Sequence, residues 1–148
     1  VVAGDEVEPG RLLSNTARNT GQFSETWEIN EPKVRRTPWF TTSAGNYIYA
    51  VNQILVSSRE NGDINVAANV PADWREFSFR LPVYGGGWID AEVEGGKFAK
   101  LEYKAGTSDS AERRLILPKR LVPESKVPRD WKSDGNNYVV ELGKIFSL

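Results

Sequence analysis

The stretch WIDAEVEGGKFAKLEYK at residues 88–104 decides the fold of this chain. Apolar and charged side chains alternate along both of its arms, which is typical of strands with one buried face. The glycine pair Gly95-Gly96 separates the arms and favours a tight turn, because glycine adopts positive φ at little cost. The alternation predicts these inward residues: Ile89, Ala91, Val93, Ala99, Leu101 and Tyr103. The sequence therefore predicts a β-hairpin whose outward acids on one arm face outward lysines on the other.

Other short stretches carry strand signals on either side of this hairpin. We expect strands within DINVAANV (63–70), REFSFRL (75–81), RRLIL (113–117), NYVVEL (137–142) and KIFSL (144–148). Residues 118–137 are charged and rich in proline, so they are expected to form a loop. Several short strands separated by turn signals predict an antiparallel β-sheet or β-sandwich.

The clearest helix is predicted at residues 43–58, SAGNYIYAVNQILVSS. A strand within YIYAV is the alternative, but helical spacing accounts for more of the apolar residues: Ala44, Tyr47, Ile48, Val51, Ile54 and Leu55. Thr42 or Ser43 is the expected N-cap, and Asn61-Gly62-Asp63 is the expected end. The predicted fold class is α+β, with a helical segment at residues 1–62 and an antiparallel β-sandwich at residues 63–148.

Composition excludes several classes of function. The chain has 148 residues, a net charge of −1, no histidine and no cysteine, so histidine-based triads, thiolate chemistry and the usual zinc sites are ruled out, and no cofactor is expected. A near-neutral charge argues against nucleic acid as a partner. No run is long enough to span a membrane, so a soluble protein is predicted. Four basic residues are interpreted as a solvated strand edge: Arg113, Arg114, Lys119 and Arg120.

Tyr84 and Trp88 flank Gly85-Gly86-Gly87. The two aromatic rings could form a small binding platform, or the glycines could simply make a bulge or turn. The lysine and hydroxyl residue that follow the glycines of a phosphate-binding loop are missing, so nucleotide binding is not expected.

Three stretches together resemble a family of carbohydrate-active enzymes: GQFSETWEINEP, SAGNYIYAVNQILV and NVPADWREFSFRLPVYGGGWIDAEVEGGKFAKLEY. Residues 11–83 resemble the last hairpin of an (α/α)6-barrel, or six-hairpin, glycoside hydrolase. The β part resembles the C-terminal domain of relatives of the inverting α-L-fucosidases. The resemblance implies a C-terminal portion of a glycoside hydrolase, with carbohydrate and the missing N-terminal part of the same enzyme as partners. A secreted or periplasmic location is favoured.

The resemblance also suggests site residues. Ala44 stands where the fucosidase-like pattern has its general base Asp, so that mechanism does not carry over. Ser24-Glu25-Thr26-Trp27 matches the glucoamylase-like loop, which makes Glu25 the first candidate base and Glu28 the second. The paired acid would come from an earlier part of the barrel, so the chain is expected to be inactive alone. Trp27, Trp39 and Asn46 are candidate sugar contacts.

Each of these residues also has an ordinary structural interpretation. The two glutamates could be solvated acids, the two tryptophans could be core residues, and Asn46 could begin the helix. The alternative function is a non-catalytic carbohydrate-binding module or a structural, self-assembling β-sandwich.

Overall fold

The structure, a computed structural model, describes residues 41–59, 62–107, 112–143 and 145–148. Within these ranges one α-helix precedes nine strands, which confirms the α+β class. The elements are α1 (Thr41–Leu55), β1 (Val56–Ser58), β2 (Asp63–Val66), β3 (Phe77–Pro82), β4 (Trp88–Glu94), β5 (Lys97–Lys104), β6 (Arg113–Pro118), β7 (Lys132–Asp134), β8 (Asn137–Leu142) and β9 (Ile145–Ser147).

The strands form two sheets. The five-stranded sheet has the order β1-β2-β6-β8-β7, and the four-stranded sheet has the order β3-β4-β5-β9. Pairing is antiparallel except between β2 and β6, which run parallel. After β2 the chain builds β3, β4 and β5 of the other sheet and then returns beside β2, the kind of long connection that parallel pairing requires.

The two sheets enclose a single apolar core. The five-stranded sheet contributes Ile64, Val66, Leu115, Leu117 and Val140. The four-stranded sheet contributes Ile89, Ala91, Val93, Phe98, Leu101 and Tyr103. Because one cluster draws on both sheets, the β part is a sandwich, as predicted.

The β4–β5 hairpin forms as expected, with φ of 58° at Gly95 and 79° at Gly96. The register shifts beside the turn, because Val93 pairs with Phe98 whereas the preceding residue of β4 pairs with Lys100. Ala99 is therefore the extra residue of a β-bulge and is exposed, so its predicted inward position was wrong. The bulge buries the larger Phe98, which removes much more apolar surface from water than Ala99 would.

The helix is confirmed, but its predicted bounds were wrong. It already includes Thr42 and Ser43, so neither is an N-cap. It ends at Leu55, whose carbonyl accepts a hydrogen bond of 2.7 Å from the amide of Ala67. The residues from Val56 onward pair with β2 instead, because this sheet edge satisfies their backbone groups. The predicted turn around Gly62 closes the β1–β2 hairpin rather than the helix.

Two predictions about the C-terminal third also needed correction. Residues 118–137 are not merely a loop, since they contain two short 3-10 helices (Lys119–Leu121 and Glu124–Lys126) and strand β7. The basic residues are not an edge, because β6 is the central strand of its sheet and Arg113 is only 5% exposed. The guanidinium of Arg113 donates a hydrogen bond to the Arg59 carbonyl. The two residues are far apart in the sequence, so this contact could not be predicted from the cluster of basic residues alone.

Candidate functional site

The solvent side of the four-stranded sheet combines an exposed tryptophan with charged side chains, which makes it the candidate binding surface. We call it the outer face, and it is formed by Ser78, Arg80, Pro82, Trp88, Asp90, Glu92, Lys100, Glu102, Lys104, Ile145 and Ser147. Strand register arranges most of these residues in two rows that cross the sheet. The first row is Pro82, Trp88, Lys104 and Ile145, and the second is Arg80, Asp90, Glu102 and Ser147.

Trp88 is the most distinctive residue of the outer face. It begins β4, and the next residue, Ile89, is fully buried, so alternation turns the indole outward. Trp88 is 43% exposed, which is unusual for the largest apolar side chain. The guanidinium carbon of Arg80 lies 5.3 Å from the ring centre, within the range of a cation–π contact. This contact restrains the indole while leaving much of it open to a ligand.

The second row contains two acids that would repel each other. Asp90 and Glu102 are direct partners across β4 and β5. The ammonium of Lys100 lies 3.3 Å from an Asp90 carboxylate oxygen and 3.2 Å from one of Glu102. These hydrogen bonds, the one to Glu102 first, raise the pKa of Lys100. The expected matching of acids with lysines is thus correct for Glu92 opposite Lys100 but not for Asp90.

A glycine turn fixes the start of β4 and therefore the position of Trp88. The amide of Val83 donates to the Gly87 carbonyl at 2.9 Å, closing the turn. A Cβ on Gly87 would lie 2.6 Å from the Lys104 carbonyl oxygen, closer than real side chains come. A Cβ on Gly106 would collide with the backbone at Gly85. Of the two earlier interpretations, the turn is confirmed, and it depends on backbone packing that only glycine permits.

Tyr84 and Trp88 have different neighbours. The Tyr84 ring lies 5.8 Å from the guanidinium carbon of Arg113, which belongs to the other sheet. Its amide donates a hydrogen bond of 2.8 Å to the Ser58 hydroxyl. Tyr84 therefore links the two sheets at one end of the sandwich, whereas the contact made by Trp88 lies on the outer face.

A groove of about 380 Å³ lies at the side of the sandwich, and Trp131, Lys132, Glu141 and Phe146 are among the residues that line it. Trp131 packs against Phe146 at 6.0 Å between ring centres. The Lys132 ammonium lies 2.7 Å from Glu141, and this hydrogen bond lowers the pKa of Glu141. The ring of Trp131 is thus occupied by aromatic packing, so the groove offers less open aromatic surface than the outer face.

The residues that the resemblance suggested lie mostly elsewhere. Glu25, Trp27, Glu28 and Trp39 fall outside the described residues, so their roles stay predictions. Asn46 lies on α1 and is exposed. Because α1 already includes Thr41, the interpretation that Asn46 begins the helix was wrong.

Arg80 and Lys104 are site residues that were not among the candidates predicted from the sequence. Alternation in the sequence already placed both on the solvent side of their strands, which the structure confirms. Only the strand register brings them beside Trp88 from two neighbouring strands, and alternation does not specify that register. The bulge at Ala99 makes that register difficult to deduce by counting from the hairpin turn.

Neither a scan against models of known protein families nor a search of curated proteins finds a match for this sequence. In the part of the chain that the structure describes, acidic side chains do not gather into a group of three that could hold a metal ion. Helix α1, for its part, is too short and too polar to cross a membrane.

Proposed function

We propose that this chain is the C-terminal portion of a carbohydrate-active enzyme and that its β-sandwich binds carbohydrate through the outer face. The observation that carries the binding part of the proposal is the exposed indole of Trp88, with the charged side chains of Arg80 and Lys104 beside it. An aromatic ring offers an apolar surface to the C–H side of a sugar, and the surrounding polar groups supply hydrogen bonds.

The shape of the outer face suits an extended ligand. Neighbouring strands lie about 4.8 Å apart, so the row from Pro82 to Ile145 spans roughly 14 Å. An oligosaccharide laid along this row would contact all four strands. The sheet is backed by the packed core, so binding would need little rearrangement of the backbone.

The enzyme part of the proposal rests on the order of the elements and on the sequence resemblance. An amphipathic helix leads directly into a β-sandwich, as expected for the end of a six-hairpin barrel followed by its C-terminal domain. Ile48 and Tyr49 on α1 are 54% and 65% exposed. Apolar side chains at these positions would pack against the preceding part of such a barrel.

In that setting Glu25 would be the general base of an inverting hydrolase, with Glu28 as the second candidate. The base takes a proton from water as the water attacks the sugar, and a separate carboxylic acid protonates the leaving oxygen. That acid would belong to the preceding part of the enzyme. The chain alone should therefore bind carbohydrate without hydrolysing it.

Binding can be tested by titrating a panel of soluble polysaccharides into the chain in affinity gels and by calorimetry. Trp88→Ala should abolish retention, whereas Tyr49→Ala, which removes another exposed aromatic ring, should not. Loss of binding in both variants would contradict an outer-face site. Absence of binding to the whole panel, together with concentration-dependent association, would favour a self-assembling module instead.

The enzyme part can be tested separately on the source protein. Its intact mass should be well above 16.6 kDa. In that whole protein Glu25→Gln should reduce hydrolysis far more than Glu28→Gln does, because the first variant removes the base. A source protein of 16.6 kDa would contradict the enzyme part and leave the binding test unaffected.

A further inference from the structure

Two cations flank the proposed sugar-stacking residue. The Arg80 guanidinium covers part of the Trp88 ring, and Lys104 is the direct partner of Trp88 on β5. Among the described residues, neither cation has a carboxylate within salt-bridge distance. Their donors are therefore available to a ligand that reaches the indole.

Two acids of the outer face are already engaged by a lysine. Asp90 and Glu102 both contact Lys100, the third cation of this face. Counted with Glu92, which lies opposite Lys100, the outer face carries three cations and three acids, so its overall charge is balanced. In the described part of the chain, its cations without a carboxylate partner are the two beside Trp88. An anionic ligand would meet unpaired cations next to Trp88 and acids that Lys100 partly neutralises.

The kinds of polar side chain next to Trp88 also favour an anionic ligand. In the two rows, the uncharged side-chain hydrogen-bonding groups are the hydroxyl of Ser147 and the indole N–H of Trp88. A surface for neutral sugars would be expected to offer amides and free carboxylates to hydroxyl groups. Here the donors next to the indole are a guanidinium and an ammonium, which bind carboxylates most strongly.

We infer that the outer face binds an acidic polysaccharide, one whose sugars carry carboxylates, with a sugar ring on Trp88 and its carboxylate between Arg80 and Lys104. This inference rests on the proposed carbohydrate-binding function and names its ligand class. The carboxylate accepts hydrogen bonds from both cations, and Arg80 keeps its contact with the indole.

The test uses an oligogalacturonate and its fully methyl-esterified form, which share one backbone and differ in charge. Calorimetry should show binding of the acid form that is about tenfold tighter than binding of the ester, because charge-assisted hydrogen bonds are the stronger kind. Lys104→Gln should weaken binding of the acid form several-fold and leave the ester unchanged. Lys126→Gln, which removes an exposed lysine from a 3-10 helix, should alter neither.

Other outcomes of these titrations distinguish the acidic-ligand inference from the carbohydrate-binding proposal on which it rests. Equal or tighter binding of the ester would overturn the acidic-ligand inference and leave carbohydrate binding standing. Tighter binding of a sulfated oligosaccharide than of the uronate would contradict the carboxylate assignment. Binding of the uronate that survives Trp88→Ala would contradict both, as would failure of every glycan to bind to folded protein. Circular dichroism melting of each variant shows that it is folded.

Discussion

Asp90 and Glu102 lie directly opposite each other on β4 and β5, and one ammonium group, that of Lys100, contacts both carboxylates. Like charges directly across a strand pair are destabilising, so the lysine offsets a repulsion that the sheet itself creates. The outer face therefore depends on Lys100 for its charge arrangement, and this dependence can be measured.

Lys100→Gln should lower the melting temperature at low ionic strength, and the loss should shrink in high salt as the repulsion between the acids is screened. Lys126→Gln is the matched control and should change the melting temperature little. Because folding raises the pKa of Lys100, its stabilisation is fully present below the ordinary lysine pKa of about 10.4 and is lost as pH rises through the raised value. A decrease that does not depend on salt would contradict this role.

Glu141 should titrate below the ordinary range of a glutamate, since the hydrogen bond from Lys132 favours its charged form. The stabilisation from this pair is present above the ordinary glutamate pKa and is lost as pH falls through the lowered value. NMR titration of the Glu141 carboxyl carbon measures the pKa, and Lys132→Gln should return it upward. An unchanged pKa in that variant would show that the 2.7 Å contact does not persist in solution.

Gly87→Ala should destabilise the protein by about 1–3 kcal/mol, because the new Cβ would lie 2.6 Å from the Lys104 carbonyl oxygen. Gly45→Ala is the matched control, since no described residue lies within 4 Å of its added Cβ on α1. That change should stabilise the protein by roughly 0.5–1 kcal/mol, because alanine loses less entropy than glycine in a helix. Urea unfolding measures both, and effects of the same sign would contradict the close approach at Gly87.

The bulge at Ala99 can be tested with two neighbouring substitutions. Phe98→Ala should cost about 3–5 kcal/mol because it empties a buried site, whereas Ala99→Ser should cost less than about 0.5 kcal/mol on the exposed side. The same urea experiment applies. A regular hairpin without the bulge would reverse this order, since Ala99 would then lie inside the sandwich.

Much of the fold could be predicted because burial and alternation coincide along most strands. Ile89 and Tyr103 follow the period of two, and the glycine pair at residues 95–96 forms the predicted turn. The errors arose where tertiary packing overrides the local pattern. Val56 follows the helical spacing in the sequence but is a strand residue, because it pairs with β2. Arg113 lies in the central strand of its sheet, because β6 pairs with β2 on one side and with β8 on the other.

The candidate site was less predictable for a related reason. The sequence shows that Trp88 follows three glycines, but it does not show which residues of the neighbouring strands lie beside it. A binding surface is formed by several strands together. The contact of Trp88 with Arg80 and its pairing with Lys104 depend on register, which one sequence does not specify across a bulge. The residues predicted from the resemblance lie before α1, apart from Asn46, and so belong to a different part of the chain.

The most direct test of the outer-face site is NMR mapping of an oligogalacturonate titrated into ¹⁵N-labelled protein. The account predicts that the largest shifts fall on the indole N–H of Trp88 and on backbone amides of the two rows, including Arg80 and Lys104. Shifts concentrated around Trp131 and Phe146 in the side groove, or no shifts at all, would contradict it.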